Sequence, residues 1–268
     1  MYKLFLSLSI SSILFYGCKN EDVINAPELT STQSCQDNLI AESIFNDVGR
    51  IVEEGLINNN QIKLCPGYNI INNDTSNIDT LIIDFGNTNC LSNGKLRKGK
   101  IITTYNKKYL DSLSVINTTF DSYYVNNNLV QGERIVTNQG RNSSGNMLFR
   151  IEINNASIIT SNGAINWQSN REREWTNGQD TYLNISDDIY KETGTASGNG
   201  INNNSFTMII TSPLNINLNC ITSCLVSSGT SKISPSGYTD RIINYGDSLC
   251  DCNIDIIINQ ETYPIVIW

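Results

Sequence analysis

Residues 148–175 decide the fold, and they read LFRIEINNASII (148–159), TSNG (160–163) and AINWQSNREREW (164–175). Apolar and polar residues alternate along both outer segments, which is the period of a β-strand. The short connection contains Ser161, Asn162 and Gly163, residue types that suit a tight hairpin turn. The stretch therefore predicts two antiparallel strands joined by a short turn.

The same pattern extends in both directions from this hairpin. Ten more segments alternate in this way: 80–85, 100–109, 113–125, 129–137, 189–197, 206–211, 225–233, 239–245, 254–258 and 263–268. Turn residues such as Asn126 to Asn128 and Pro235 to Gly237 separate them. Consecutive strands with short turns predict an all-β fold, a long antiparallel β-meander with one face in water. The pattern leaves open whether the sheet closes on itself.

One segment before the strands has a helical period instead. Its apolar residues recur at helical spacing: Ile40, Ile44, Val48, Ile51 and Val52. Ser34 or Asp37 could cap the start, and Gly55 stands where a helix commonly ends. We therefore expect an amphipathic helix over residues 36–55 that packs on the sheet by this stripe.

The N-terminus has the plan of a bacterial export signal. Lys3 precedes an apolar run over residues 4–16, too short for a permanent membrane span, and Gly17 and Cys18 follow. This predicts a lipoprotein signal peptide over residues 1–17 and lipidation of Cys18, which would attach the protein to the membrane. The alternative is an ordinary secretory signal that happens to contain a cysteine.

Residues 18–33 lack a hydrophobic period and are expected to be a flexible tether, followed by a single β-rich domain over residues 34–268. The tether begins Lys19-Asn20-Glu21-Asp22, which resembles the tag that exports lipoproteins of Bacteroidota to the cell surface. A solvated charged spacer is the alternative. The expected location is the outer membrane, on the cell surface if the tag operates.

Composition excludes several classes of function. The formal net charge is −8 and the chain contains no histidine. An acidic chain is a poor partner for nucleic acid, so we expect no nucleic-acid binding. Without histidine there can be no histidine-based triad and no histidine metal ligand, and we predict no cofactor and no catalytic residue.

Two segments of the chain echo each other. LIIDFGNTNC (81–90) and RIINYGDSLC (241–250) share two aliphatic residues, an aromatic residue, a glycine and a final cysteine in the same order. Each has another cysteine upstream, Cys65 and Cys224 respectively. The echo favours a duplicated unit with bridges Cys65–Cys90 and Cys224–Cys250.

The remaining cysteines follow from these two bridges. Cys220 and Cys252 flank the second pair, so they are expected to bridge each other, and Cys35 is left over. A four-thiolate zinc site made of Cys220, Cys224, Cys250 and Cys252 is the alternative. An exported chain favours disulfides, and we predict no metal site.

Several motifs together resemble a known family. These are the echoed segments, GKLRKGKI (94–101), the W-x-S-x-R-x-R-E-W run at 167–175 and DDIYKETGTASG (187–198). They resemble a family of β-rich lipoproteins of flavobacteria and related Bacteroidota for which no activity is established. The resemblance covers nearly all of the chain after the signal and implies an exported, lipid-anchored, β-rich protein. It supplies no catalytic residue.

The strand over residues 167–175 is the strongest candidate for a ligand contact. Its alternation gives two faces: Trp167, Ser169, Arg171, Arg173 and Trp175 on one, and Gln168, Asn170, Glu172 and Glu174 on the other. The face with Trp167, Arg171, Arg173 and Trp175 could stack sugar rings and hold an anionic group. Alternatively, each arginine lies over a tryptophan and pairs with an acid of the neighbouring strand.

The sequence therefore leaves two classes of function. The first is a lipid-anchored binding or scaffold protein without catalysis, whose ligand is a glycan or a protein. The second is a carboxylate-dependent glycan hydrolase, with candidate acids Glu172 with Glu174, Asp187 with Asp188, or Asp251 with Asp255. Turn acids could instead bind calcium. A basic cluster over residues 95–108 is expected to protect a sheet edge.

Overall fold

The computed structural model describes residues 30–57, 65–71, 78–220 and 224–267. The predicted signal peptide, Cys18 and most of the tether lie outside the described residues. One α-helix and fourteen strands are seen within these ranges. They are α1 (Gln33–Ile57), β1 (Gly67–Ile71), β2 (Asp79–Asp84), β3 (Cys90–Ser92), β4 (Lys95–Tyr105), β5 (Val115–Val125), β6 (Asn128–Arg141), β7 (Met147–Thr160), β8 (Gly163–Asn177), β9 (Ile189–Asn199), β10 (Ser205–Asn217), β11 (Val226–Pro235), β12 (Arg241–Asp247), β13 (Asn253–Ile258) and β14 (Glu261–Val266).

The predicted all-β meander is confirmed. Every strand pairs antiparallel with its neighbour in the chain, except that β2 pairs with β4 and β3 forms a short hairpin on β4 alone. The spatial order therefore runs from β1 to β14, and within the described residues these two strands do not pair with each other. The sheet is consequently open between its first and last strands.

The turns form for the reason that the sequence suggests. Asn126 and Asn127 have φ angles of 48° and 65° between β5 and β6. A two-residue hairpin turn of this type requires positive φ at both central positions, and asparagine tolerates that conformation better than most residues. The asparagine run thus fixes the register of the two longer strands on either side.

The sheet wraps around the helix. Side chains of β2, β4, β8 and β12 all contact α1, through Leu81, Arg97, Arg171 and Tyr245. In a flat sheet β2 and β12 would lie about 43 Å apart, given about 4.8 Å between neighbouring strands. A helix is only about 10 Å wide. The sheet must therefore curve so that both of its halves reach the same helix.

The distribution of buried acids along the helix agrees with this enclosure. Asp37, Glu42, Asp47 and Glu53 are all buried. Steps of five and six residues turn by about 140° and about 240° around a helix, so successive acids point to different sides. The helix packs on the sheet as predicted, but the predicted apolar stripe is only one part of its covered surface. Almost all of its circumference is covered, and Ile40 of the predicted stripe is only half-buried.

The predicted helix ends also differ from the structure. The helix begins at Gln33, and the Thr32 carbonyl accepts a hydrogen bond from the Gln36 N–H, so Ser34 and Asp37 lie inside the first turns. Gly55 is likewise internal. A β-carbon there would lie 2.9 Å from Leu81 Cδ2 and 3.0 Å from Tyr68 Cε1. The absence of a side chain at Gly55 allows the enclosing sheet to approach the helix. Gly55 therefore has a packing role and does not end the helix.

The basic cluster does not protect an edge. Strand β4 lies between β5 on one side and β2 and β3 on the other. Arg97 is buried and Lys100 pairs with Asp84 at 3.3 Å. The edge strand β14 has another feature that discourages pairing, since Pro264 lacks a backbone N–H.

Candidate functional site

The predicted binding face of β8 points inward. Trp167 and Arg171 are each 4% exposed, Arg173 is 2% exposed and Trp175 is 1% exposed. The Trp167 indole N–H donates to Asn38 Oδ1 of the helix at 3.0 Å. The expectation of an exposed aromatic and basic face is therefore wrong, because the helix covers it. The alternation itself is correct, and the outer face carries Gln168, Asn170 and Glu172.

Arg171 is held by an acid of the helix. Its Nη2 lies 2.8 Å from Glu42 Oε1, and the Tyr245 hydroxyl donates to Glu42 Oε2 at 2.6 Å. Burial raises the pKa of Glu42, while the Arg171 charge and the Tyr245 hydrogen bond lower it, and the net direction is upward. Each oxygen of this carboxylate has one partner, so Glu42 joins β8, β12 and α1.

Arg173 lies at the centre of a second buried cluster. Its guanidinium contacts Glu192 Oε1 on the adjacent strand β9 at 2.6 Å and Glu53 Oε1 on the helix at 3.5 Å. The Tyr109 hydroxyl also donates to Glu53 at 3.1 Å. The alternative expected from sequence is correct only in part. Arg173 pairs with an acid of the neighbouring strand but lies over the Tyr190 ring rather than a tryptophan, and Arg171 pairs with the helix. These arginines join the layers of the fold.

Asp188 borders this cluster and has a perturbed carboxyl group. Burial, together with the charges of Glu53 and Asp187, raises its pKa to about 7. Its Oδ2 accepts from the Tyr190 hydroxyl at 3.4 Å, and its buried Oδ1 has no partner among the described residues. The calcium and hydrolase hypotheses both use this residue. Its adjacent acid, Asp187, instead accepts from Thr181 at 2.6 Å.

The other predicted acid pairs lie on the outside of the molecule. Glu172 is exposed, and Glu174 accepts hydrogen bonds from Asn142 and Asn146 at 2.8 Å each. Asp251 bonds its own turn through the Asn253 backbone N–H. Nothing in these contacts gives any of the pairs a shared cleft.

Six of the predicted disulfide cysteines are bridged, but two pairings are exchanged. Cys65 bridges Cys90 as predicted. Cys220 bridges Cys250 and Cys224 bridges Cys252, whereas the echo predicted Cys224 with Cys250 and Cys220 with Cys252. The cysteine part of the duplication argument is therefore wrong, and the four thiols of the zinc alternative form disulfides. Cys35 is a free buried thiol, and burial raises its pKa to about 12.

The echoed segments nevertheless share one feature of packing. Leu81, Ile83 and Phe85 point inward in the first copy, and Arg241, Ile243 and Tyr245 occupy the same inward positions in the second. Strand β2 is second from one edge of the sheet, whereas β12 is third from the other. The similarity thus describes an alternation of buried residues rather than equivalent places in the sheet.

The helix is accessible along one narrow stripe. Gln36, Ile40 and Ser43 are half-buried at spacings of four and three residues, so they lie on one face of α1. They form the floor of a cleft of about 320 Å³. We call it the helix cleft, and its lining is Gln36, Leu39, Ile40, Ser43, Ile44, Lys95, Val125, Asn126, Ile265, Val266 and Ile267.

The walls of the helix cleft come from opposite ends of the sheet. Residues Ile265 to Ile267, at and just beyond the end of β14, form one wall. Lys95, at the start of β4, and Val125, at the end of β5, form the other. Most of the lining is aliphatic, and the volume lies at the lower end of the range for ligand pockets. The open edge of the wrapped sheet thus creates a concave, mainly apolar site.

Lys95 gives the helix cleft its one cationic side chain. Burial lowers the pKa of Lys95, and Asp47 opposes that shift. Asp47 itself is bound by Arg97 at 2.7 Å, and its pKa is lowered because the surrounding cations, Lys95 first, outweigh its burial. Within the described residues Lys95 has no ion pair within 4 Å. The Lys95 ammonium can therefore form an ion pair with an acidic group of a ligand.

A small chamber lies below the helix cleft. It shares Leu39, Ser43, Lys95 and Ile267 with the cleft, and Glu42 and Asp47 also line it. Its volume is about 20 Å³, which is enough for a single water molecule. This volume is too small for a sugar ring. Both carboxylates already bind arginines, so the chamber also offers no free general base.

The helix cleft is not predicted by the sequence patterns, although part of it is visible there. The helical period places Ile40 in the buried stripe, and the alternation near the C-terminus places Ile265 and Ile267 in a strand with no predicted role. The half-exposed stripe is visible in the sequence as the polar residues Gln36 and Ser43 on either side of Ile40, at helical spacing. The walls of the helix cleft have no such signal in the sequence, because they depend on how the two ends of the sheet meet.

Comparison with family models, with curated proteins and with solved structures finds no match to this chain. In the described part of the chain, no helix has the length and apolarity needed to cross a membrane.

Proposed function

We propose that this chain is an exported, lipid-anchored binding protein of the outer membrane, without catalytic activity, and that the helix cleft is its ligand site. The ligand is an amphiphile with one long apolar chain and one acidic headgroup. The observation that carries the proposal is an aliphatic cleft of about 320 Å³ with a single ammonium, that of Lys95, on its wall.

The charges around Lys95 support an acidic headgroup. Lys95, Arg97 and Arg50 carry three positive charges, and the acids among them, Asp47 and Glu54, carry two negative charges. This leaves one positive charge among these described residues. Lys95 is half-buried, so its ammonium is partly removed from water and an anionic headgroup would supply a partner. An uncharged amphiphile would leave the ammonium without one.

The aliphatic lining supports the apolar chain. Ile40, Ile44 and Ile265 offer no hydrogen-bonding side chain, so a polar ligand would lose its water contacts without replacement. A hydrocarbon chain gains about 25 cal/mol for each Å² of surface that it removes from water. The same lining argues against the hydrolase alternative, because no free carboxylate borders the helix cleft.

The cleft can be tested with membrane vesicles that carry the full chain. A long-chain fatty acid bearing a photoreactive diazirine is added, the sample is irradiated, and cross-linked peptides are mapped by mass spectrometry. We expect cross-links in α1 and at the C-terminal end of β14. Unlabelled fatty acid should compete, and the fatty alcohol of equal length should compete at least tenfold less well.

Two variants locate the site and one serves as a control. Ile40→Trp fills the cleft and should abolish labelling, while Lys95→Met should weaken fatty-acid competition about tenfold. Lys98→Met removes the same charge three positions away from Lys95 on the same strand, where Lys98 lies over the Tyr124 ring at 4.3 Å from the centroid, and should change nothing. Equal labelling of the Ile40→Trp variant with an unchanged melting temperature would disprove the site.

The anchor is tested separately. The mature protein should begin at an acylated Cys18, and Cys18→Ala should release the protein from the membrane fraction without changing the competition by fatty acid. If the tag at residues 19–22 operates, protease added to whole cells should digest the domain. An unlipidated N-terminus elsewhere would disprove the anchor but leave the cleft assignment standing.

A further inference from the structure

A second cavity opens at the N-terminal end of the helix, on the side of the β9–β10 and β11–β12 turns. It has a volume of about 330 Å³. We call it the turn pocket, and its lining is Ser31, Gln33, Ser34, Asp37, Gly200, Asn202, Asn204, Pro235, Tyr238 and Arg241. In contrast to the helix cleft, nearly all of these side chains are polar, so the two cavities suit different ligands.

We infer that the turn pocket binds a neutral saccharide ring. The first support is hydrogen-bonding capacity. No hydrogen bond from a described residue reaches the side-chain amides of Asn202 and Asn204. Each amide offers one acceptor and two donors, which matches the hydroxyl groups of a sugar.

Asp37 supplies further acceptor capacity. Its Oδ1 accepts from Gln33 Nε2 at 2.9 Å, and its Oδ2 accepts from the Ile201 backbone N–H at 3.1 Å. A carboxylate has about four acceptor positions, so about two remain for ligand hydroxyls. The side chain is buried and its position is fixed by these two bonds. It is therefore a preformed acceptor rather than a mobile surface group.

Tyr238 adds an aromatic surface. The Arg241 guanidinium lies over its ring at 5.3 Å from the centroid, which holds the ring in place. A fixed aromatic ring beside amides and a carboxylate is a suitable platform for the apolar face of a sugar. Asp37 and Arg241 carry opposite charges, so the lining is neutral overall and favours an uncharged ligand.

The experiment uses the full chain in a detergent without a sugar headgroup. Saturation-transfer-difference NMR is recorded with glucose, galactose, mannose and N-acetylglucosamine, and with glucuronate and glucosamine as charged counterparts. We expect at least one neutral sugar to bind, with both charged relatives at least tenfold weaker. Absence of binding by all four neutral sugars, or tighter binding of a charged one, would overturn the inference.

Variants then assign the binding to the turn pocket. Asn202→Ala and Tyr238→Ala should each weaken sugar binding at least tenfold, while Asn162→Ala and Tyr182→Ala make the same changes at exposed positions elsewhere and should have no effect. Because Tyr238→Ala could loosen the turn, Asn202→Ala at an exposed loop position is the decisive variant. Unchanged binding in both pocket variants would place the sugar elsewhere and disprove the site.

Discussion

Both faces of strand β8 carry polar residues, but in opposite environments. Inward, Arg171 and Arg173 meet acids of the helix and of β9 in a region closed to water. Outward, Gln168 and Asn170 lie on an open trough of about 570 Å³, with Thr195 and Ser197 of β9 beside them. The comparison teaches that a polar strand face is not an exposed face when the opposite layer supplies complementary charges.

The difference has an energetic consequence. A buried ion pair contributes little net stability when complete, yet removing one partner leaves an uncompensated charge in a region of low dielectric constant. An exposed polar residue keeps its water in either state, so its removal changes little. The inner face should therefore be sensitive to substitution and the outer face tolerant.

The largest effect is expected at Arg173. Replacing it with alanine leaves Glu192 and Glu53 buried without their cation, and the free energy of unfolding should fall by about 3–5 kcal/mol. Chemical denaturation followed by circular dichroism measures this. Glu172→Ala, one residue away on the outer face, is the matched control and should change stability by less than about 0.5 kcal/mol. Similar losses in both variants would contradict the difference between the faces.

Asp188 should produce an intermediate, pH-dependent effect. Its folded pKa of about 7 lies above the ordinary value of 3.8, so between these values the folded state retains a proton that the unfolded state releases. Stability from this group therefore falls as pH rises from about 4 to 7. The side chain of the Asp188→Asn variant cannot ionise. The melting temperature of the variant minus that of the wild type should therefore be several degrees higher at pH 8 than at pH 5. A difference that is constant with pH would show that Asp188 titrates normally.

The smallest effect is expected at Asn170. Asn170→Lys places a charge on the outer trough, where water solvates it, and the unfolding free energy should change by no more than about 0.5 kcal/mol. A loss of 2 kcal/mol or more would mean that the outer trough is covered by another part of the chain. Thermal unfolding of the Asn170→Lys variant and of the wild-type protein, measured side by side, tests this prediction.

The sequence predicts local features of this fold much better than distant ones. Strand alternation and the Asn126 turn depend on neighbouring residues, and both are correct. Strand β10 was expected to stop at residue 211 but continues to Asn217, because register shifts allow it to pass Pro213. The short strands β1 and β3 carry too few residues for a period to be recognised.

The site depended on contacts that no local pattern encodes. Arg171 and Glu42 are 129 residues apart, and nothing near Arg171 indicates that an acid will cover it. The exchanged bridges of Cys220 and Cys224 have the same origin, because similar spacings fit either pairing. The helix cleft requires the two ends of a fourteen-stranded sheet to approach one helix face.

The acids of the helix also constrain the order in which the protein can be completed. Glu42 comes early in the chain, whereas its partner Tyr245 follows 203 residues later. Contacts of such separation form slowly, because a long loop must close before they contribute stability. Until the last strands are in place, the early helix presents carboxylates and aliphatic residues that no sheet yet covers. We expect the incompletely folded chain to depend on chaperones until β12 is available, and chains truncated before β12 to be degraded.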